Sequence, residues 1–256
     1  VNPMWVKYGD RRGWQWPGVV PAKQIAGMTF WAKAARVACA AEGGQLDMVQ
    51  CYDRGIMSVG PFGATAAFGA LGDFLSEIPR NILVQYLGEL FRRTCLSLNG
   101  TVLMRGLSPA TLEELNYAFR GGADDTTWEE SFASASLALE WVRAFAAMLA
   151  DTASHRGVGM ACSKLLSTIY MTPAAGELLG MRPSSTPPAS AAAQRAAACF
   201  LSFAVNHPQG AMRLLRTAGC DADRMLDAAM AAGPWPATFG QRVARTRAAL
   251  ASEAWG

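Results

Sequence analysis

An abundance of alanine is the feature that most constrains this chain. Alanine gives up no side-chain entropy in a helix. The β-branched residues that favour strands are sparse. The expected fold class is therefore mainly α, with closely packed helices. With 256 residues, 51% of them apolar, one large domain can bury a sizeable core without staples. Residues 1–20, rich in Trp, Gly, Pro and charge (Trp5, Arg11, Arg12, Trp14, Trp16), lack helical period and read as an arm or linker. Residues 21–256 read as one helical domain.

Apolar periodicity predicts a helix over 22–42, with Ile25, Met28, Ala32, Ala35 and Cys39 along one side and Gly43-Gly44 as its stop. The turn formers of 45–63 predict a short β-hairpin or extended loop, with Asp53-Arg54-Gly55 near the turn. Helices are expected at 64–77 and 79–96, broken at Pro79. Ser108-Pro109 reads as a capped helix start, 121–127 as a polar loop, and 128–150 and 160–172 as helices. Pro183–Pro188 is the clearest loop, placed inside the domain rather than at a boundary. Helices are expected again at 189–204, 208–218, 221–232 and 239–253, the last carrying Arg242, Arg245 and Arg247.

The charge of +3 is mild and forms no long basic block, so a nucleic-acid partner is not indicated, whereas an anionic polymer would suit it. Six cysteines without a Cys-x-x-Cys pair, beside two histidines, argue against a zinc site. Cys39, Cys162 and Cys199 sit in apolar helical patterns, as small buried hydrophobes do. Cys39 and Cys51 flank the Glu42 turn. No phosphate-binding glycine loop is present, and Ser108 and Ser163 have no base near them in sequence, so neither a cofactor nor a serine nucleophile is expected. Phe132–Ala150 and Ala191–Val205 are interrupted by Glu140 and Arg143, and by Gln194 and Arg195. They read as buried helices rather than membrane spans, and no signal peptide is visible in the chain.

One segment carries chemistry. Glu42 closes the first helix against the negative end of its dipole, which disfavours a charged carboxylate there. Its neighbours Ala40, Ala41, Gly43 and Gly44 add no countercharge and leave room for a ligand. Asp53 follows eleven residues later, across a reversal, and Ser58 beyond it. Cleavage of a glycosidic bond needs a carboxylic acid to protonate the leaving oxygen, and usually a second carboxylate to activate water or steady the cation. Glu42 and Asp53 fit those roles, with Ser58 to position a water. The plainer alternative is a surface glutamate and an ordinary turn. Tyr52 and Phe62 flank the hairpin and suit either stacking on sugar rings or packing on the core.

These residues resemble the lysozyme-like superfamily, which includes phage endolysins and soluble lytic transglycosylases. Gly55-Ile56-Met57-Ser58-Val59-Gly60-Pro61 with Ala64-Thr65-Ala66 is similar to the transglycosylase segment Gly-Leu-Met-Gln-x-Met-Pro-Ala-Thr-Ala. That segment follows the catalytic glutamate by about a dozen residues, and Glu42 precedes Gly55 by thirteen. The order of Glu42, Asp53 and Ser58 also resembles the Glu…Asp/Cys…Thr pattern of phage lysozymes. Ala204-Val205-Asn206-His207-Pro208-Gln209-Gly210 is similar to the Ala-Tyr-Asn-Ala-Gly segment that lines the sugar cleft. Ser58 stands in place of the family's Gln, and Val205 in place of its Tyr.

The resemblance implies a lysozyme-like α-helical domain with a small β-hairpin next to an active-site cleft. Glu42 would be the general acid, Asp53 and Ser58 would assist, and Asn206, Tyr52 and Phe62 would contact substrate. The implied activity is cleavage of the peptidoglycan β-1,4 bond, as a muramidase or a lytic transglycosylase, without metal or cofactor. The partners would be glycan strands, and the site of action the periplasm or cell exterior. The alternative is a domain that keeps the fold without catalysis, as a wall-binding or assembly module of a phage tail or a secretion or injection machine. A helical adaptor that docks through its Trp-rich first twenty residues is a third option.

Overall fold

The computed structural model describes residues 2–8, 11–51, 57–65, 70–93, 132–231 and 239–256. It is mainly helical with a small antiparallel sheet, as the alanine bias predicts. The chain divides into two compact units: residues 1–24 with 45–161, and residues 25–44 with 162–256.

The first unit holds the sheet, five strands in the order β1 (Met4–Tyr8), β2 (Arg11–Trp16), β3 (Val49–Cys51), β4 (Ser58–Val59) and β5 (Ala64–Thr65). All neighbours are antiparallel. Residues 4–16, read from sequence as an arm, supply β1 and β2; Trp5 faces Trp14 in register, and Trp16 faces Val49. Because its partner strand lies more than thirty residues onward, no local pattern announces the pairing. The hairpin expected in 45–63 is the β3–β4 pair. The expected helix 64–77 shortens to α2 (Ala70–Leu75), because Ala64–Thr65 pairs with β4 across a turn in which Gly60 (φ 78°) and Gly63 (φ 61°) adopt left-handed backbone.

The link from β2 is tied by Asp47, which is fully buried. Its carboxylate accepts from Trp16 Nε1 (3.1 Å), Val19 N (2.7 Å) and Val20 N (2.8 Å). Gly18 turns at φ 76°, and a Cβ there would lie 2.4 Å from Gln45 Cβ. α3 (Arg80–Arg93) begins directly after Pro79, and α4 (Phe132–Ala150) packs on α3, β2 and β3. Trp141 is fully buried, with Phe91 edge-on at 5.2 Å and Phe145 stacked at 5.7 Å. The expectations for Cys95, Gly100–Pro109 and 121–127 lie outside the described residues.

The second unit is built around α1 (Phe30–Ala41). α5 (His155–Leu165) crosses the division of the chain at residue 161 and runs into a π-helical turn, Leu166–Tyr170. α6 (Pro173–Leu178), α7 (Ala191–Ala204), α8 (Pro208–Ala218), α9 (Ala222–Ala231) and α10 (Phe239–Ser252) follow. α1 packs on α7 and α10, and α7 on α8 and α9. The contact faces are small: Ala34, Ala35 and Ala38 on α1 and Ala196, Ala197 and Ala198 on α7 are all fully buried. Residues without bulk let helix axes approach closely, which is what the alanine spacing encodes.

α1 starts at Phe30 rather than at 22, because Gly27 takes φ 119°, incompatible with a helix. Met28, expected on the buried side, is 82% exposed as a result. The last residues of the chain are fastened to α1. Arg36 pairs with both carboxylate oxygens of Glu253 (2.6 and 2.8 Å), and Lys33 Nζ donates to the Ala254 carbonyl at 2.5 Å. Among the described residues, no helix is long and apolar enough to cross a membrane.

Candidate functional site

Glu42 is the C-cap of α1: its amide bonds back to Ala38 and Cys39, and Gly43 (φ 105°) and Gly44 (φ 84°) turn the chain away. Neither conformation suits a residue with a Cβ, so the Gly-Gly stop fixes where the carboxylate emerges. The side chain keeps 15% of its exposure.

Both carboxylate oxygens are occupied. Arg242 Nη2 donates to Oε1 at 2.5 Å, and Asn206 Nδ2 donates to Oε2 at 2.8 Å. Arg242 stands on the buried face of α10 with Val243, Thr246 and Leu250. Its Nη1 donates to the Ser202 carbonyl at 2.6 Å. Ser202 is itself buried in α7, its hydroxyl donating to the Cys199 carbonyl (2.7 Å) and accepting from Thr246 (3.3 Å). Three helices thus hold one charge pair: α1 carries the acid, α10 the base, and α7 the carbonyl that pins the base.

The surroundings register this charge. Burial first, and then the Glu42 charge, push the Tyr170 hydroxyl up to about 12. The Cys39 thiol is raised for the same two reasons. His207 is lowered below 6.5 by partial desolvation first and by Arg242 second, with Glu42 acting against them. Near neutral pH, Tyr170 and Cys39 are therefore uncharged and His207 is predominantly neutral. Beside Asn206 a cavity of about 300 Å³ opens, lined also by His207, Pro208, Gln209, Gly210 and Arg213. Pro208 begins α8, where its missing N–H costs nothing.

The structure therefore brings together two of the six residues singled out from sequence, Glu42 and Asn206. Ser58 belongs to the first unit, where it is buried in β4 opposite Thr65. Phe62 lies in the turn after β4 and is 7% exposed, so its ring packs inward. Tyr52 and Asp53 lie outside the described residues. Arg242 was not singled out. The countercharge missing beside Glu42 in sequence comes from 200 residues onward. Its signal was an arginine on the apolar stripe of a helix, in step with Val243, Thr246 and Leu250. No group of three or more His, Cys, Asp or Glu side chains able to hold a metal occurs among the described residues.

No family model matches the chain, and no curated protein or solved structure matches it significantly.

Proposed function

We propose that the chain is a lysozyme-like domain that cleaves the glycan β-1,4 bond of peptidoglycan, with Glu42 as the general acid. One observation carries this reading: Glu42 and Asn206, which the sequence resemblance assigns separately to one sugar cleft, share a hydrogen bond across 164 residues. The cavity that Asn206 lines is of a size to receive part of a sugar chain. In the reaction, Glu42 gives its proton to the glycosidic oxygen as the C–O bond breaks, and the electron pair stays with the leaving sugar. The cation that remains is captured by water, or by the sugar's own 6-hydroxyl to give a 1,6-anhydro end, and the proton released in that capture returns to the Glu42 carboxylate. The hydrolytic outcome calls for a further group to activate the water, whereas the anhydro route needs Glu42 alone. A wall substrate implies action in the periplasm or outside the cell, alone or within a phage or secretion assembly.

A second reading is favoured by the Arg242 contact. A carboxylate that accepts from a buried arginine is a common structural tie, and Glu42 must carry a proton before it can donate one. The domain would then bind glycan or assemble with a larger machine without cutting. Muropeptide release from purified peptidoglycan, compared between the native protein and a folded Glu42→Gln variant, separates the two. Release that the variant loses supports the enzyme; binding without release supports the module.

A further inference from the structure

We infer that Arg242 is a positioning residue that decides which oxygen of Glu42 carries the transferable proton: Oε1 is kept as a permanent acceptor, and the proton resides on Oε2, toward Asn206 and the cavity. The inference rests on the reading of Glu42 as general acid and goes beyond it.

A guanidinium has donors only and does not lose its proton. Arg242 is 10% exposed and held from behind by the Ser202 carbonyl at 2.6 Å, so it cannot easily swing to water. A proton on Oε1 would set O–H against N–H and leave a buried cation without its acceptor. Asn206 is different: its amide has a donor on one side and an acceptor on the other. Facing a carboxylate it donates through Nδ2, as observed at 2.8 Å. Turned by half a rotation, it accepts a hydrogen bond from a protonated Oε2 through Oδ1. Asn206 is exposed, so that rotation meets little resistance.

The protonated acid therefore keeps its bond to Arg242 through Oε1 and exchanges one hydrogen bond for another at Oε2. Oε2 is also the oxygen whose neighbour lines the cavity. When the proton leaves for the glycosidic oxygen, the new carboxylate keeps the Arg242 donor already in place on Oε1, and Asn206 turns back to donate to Oε2. Such donors strengthen as charge develops and need no rearrangement of Arg242.

The test is steady-state kinetics on soluble, peptide-free glycan strands, with native protein, Glu42→Gln, Arg242→Gln and Arg242→Lys, each checked for folding by circular dichroism. Arg242 bonds Glu42 and is not among the residues that line the cavity, so the expected effect of Arg242→Gln is a kcat lower by about 10- to 100-fold with KM within about twofold. Arg242→Lys, which keeps the charge without the fork, should recover part of the loss. Should Arg242→Gln fail to fold, Arg242→Lys decides: a reduced kcat at unchanged KM supports the inference, and a native kcat overturns it. A folded Arg242→Gln with native kcat overturns it while the Glu42 reading stands. Native protein that does not cut, or Glu42→Gln that cuts equally well, overturns the Glu42 reading and this inference together.

Discussion

Glu42 and Asn206 lie 164 residues apart and meet at 2.8 Å, with Arg242 completing the carboxylate from the other side. The meeting follows from helix packing: α1 ends at Glu42, α7 ends just before Asn206, and the two helices pack against each other. Asn206 therefore lies beside the C-cap of α1 because α7 stops there.

Glu42→Ala leaves Arg242, 10% exposed, without its anion. The loss should destabilise the protein by about 3 kcal/mol in urea unfolding. Replacing both residues by apolar ones (Glu42→Leu with Arg242→Met) should cost less than Glu42→Ala alone. A double variant as unstable as the sum of its singles would show that the two side chains do not interact.

His207 reports on the same pair. It is held below its ordinary value of 6.5, by partial desolvation and then by Arg242. Its contribution to stability is therefore complete above about 6.5 and is lost as pH falls through the folded value, since the unfolded chain takes up the proton first. The loss is small, because the ring is largely exposed. In an NMR titration of the two histidines, Arg242→Gln should raise the His207 midpoint and Glu42→Gln should lower it. Shifts in the opposite sense would contradict the observed arrangement of charges.

Asp47 and Gly18 give a test far from this chemistry. Asp47→Ala orphans two backbone amides and an indole N–H, and should cost about 2–4 kcal/mol. Gly18→Ala combines φ 76° with a Cβ 2.4 Å from Gln45 Cβ. It should cost about 2 kcal/mol or more, seen as a lower Tm. A Tm unchanged by either substitution would show that this link does not anchor the sheet.

The helices were legible where one local signal decides. Apolar spacing, the Gly43-Gly44 stop and Pro208 mark α1, α7 and α8 to within a few residues, the start of α1 excepted, where Gly27 intervenes. β1 and β2 were not legible, since Trp5, Trp14 and Trp16 become strand residues by pairing with each other and with β3. At the candidate site, Glu42 could be singled out because a carboxylate at a helix C-terminus opposes the dipole. Asn206 came from motif likeness alone. Arg242 was passed over because its meaning depends on a partner 200 residues away.

The most direct test of the account incubates purified sacculi with native protein or Glu42→Gln, and then measures bound protein and released muropeptides in the same sample. Both proteins are expected to sediment with the wall, and only the native one to release soluble fragments. Mass spectrometry then assigns reducing or 1,6-anhydro ends to the reaction. Equal release by a folded Glu42→Gln, or binding without release by the native protein, would contradict Glu42 as the acid.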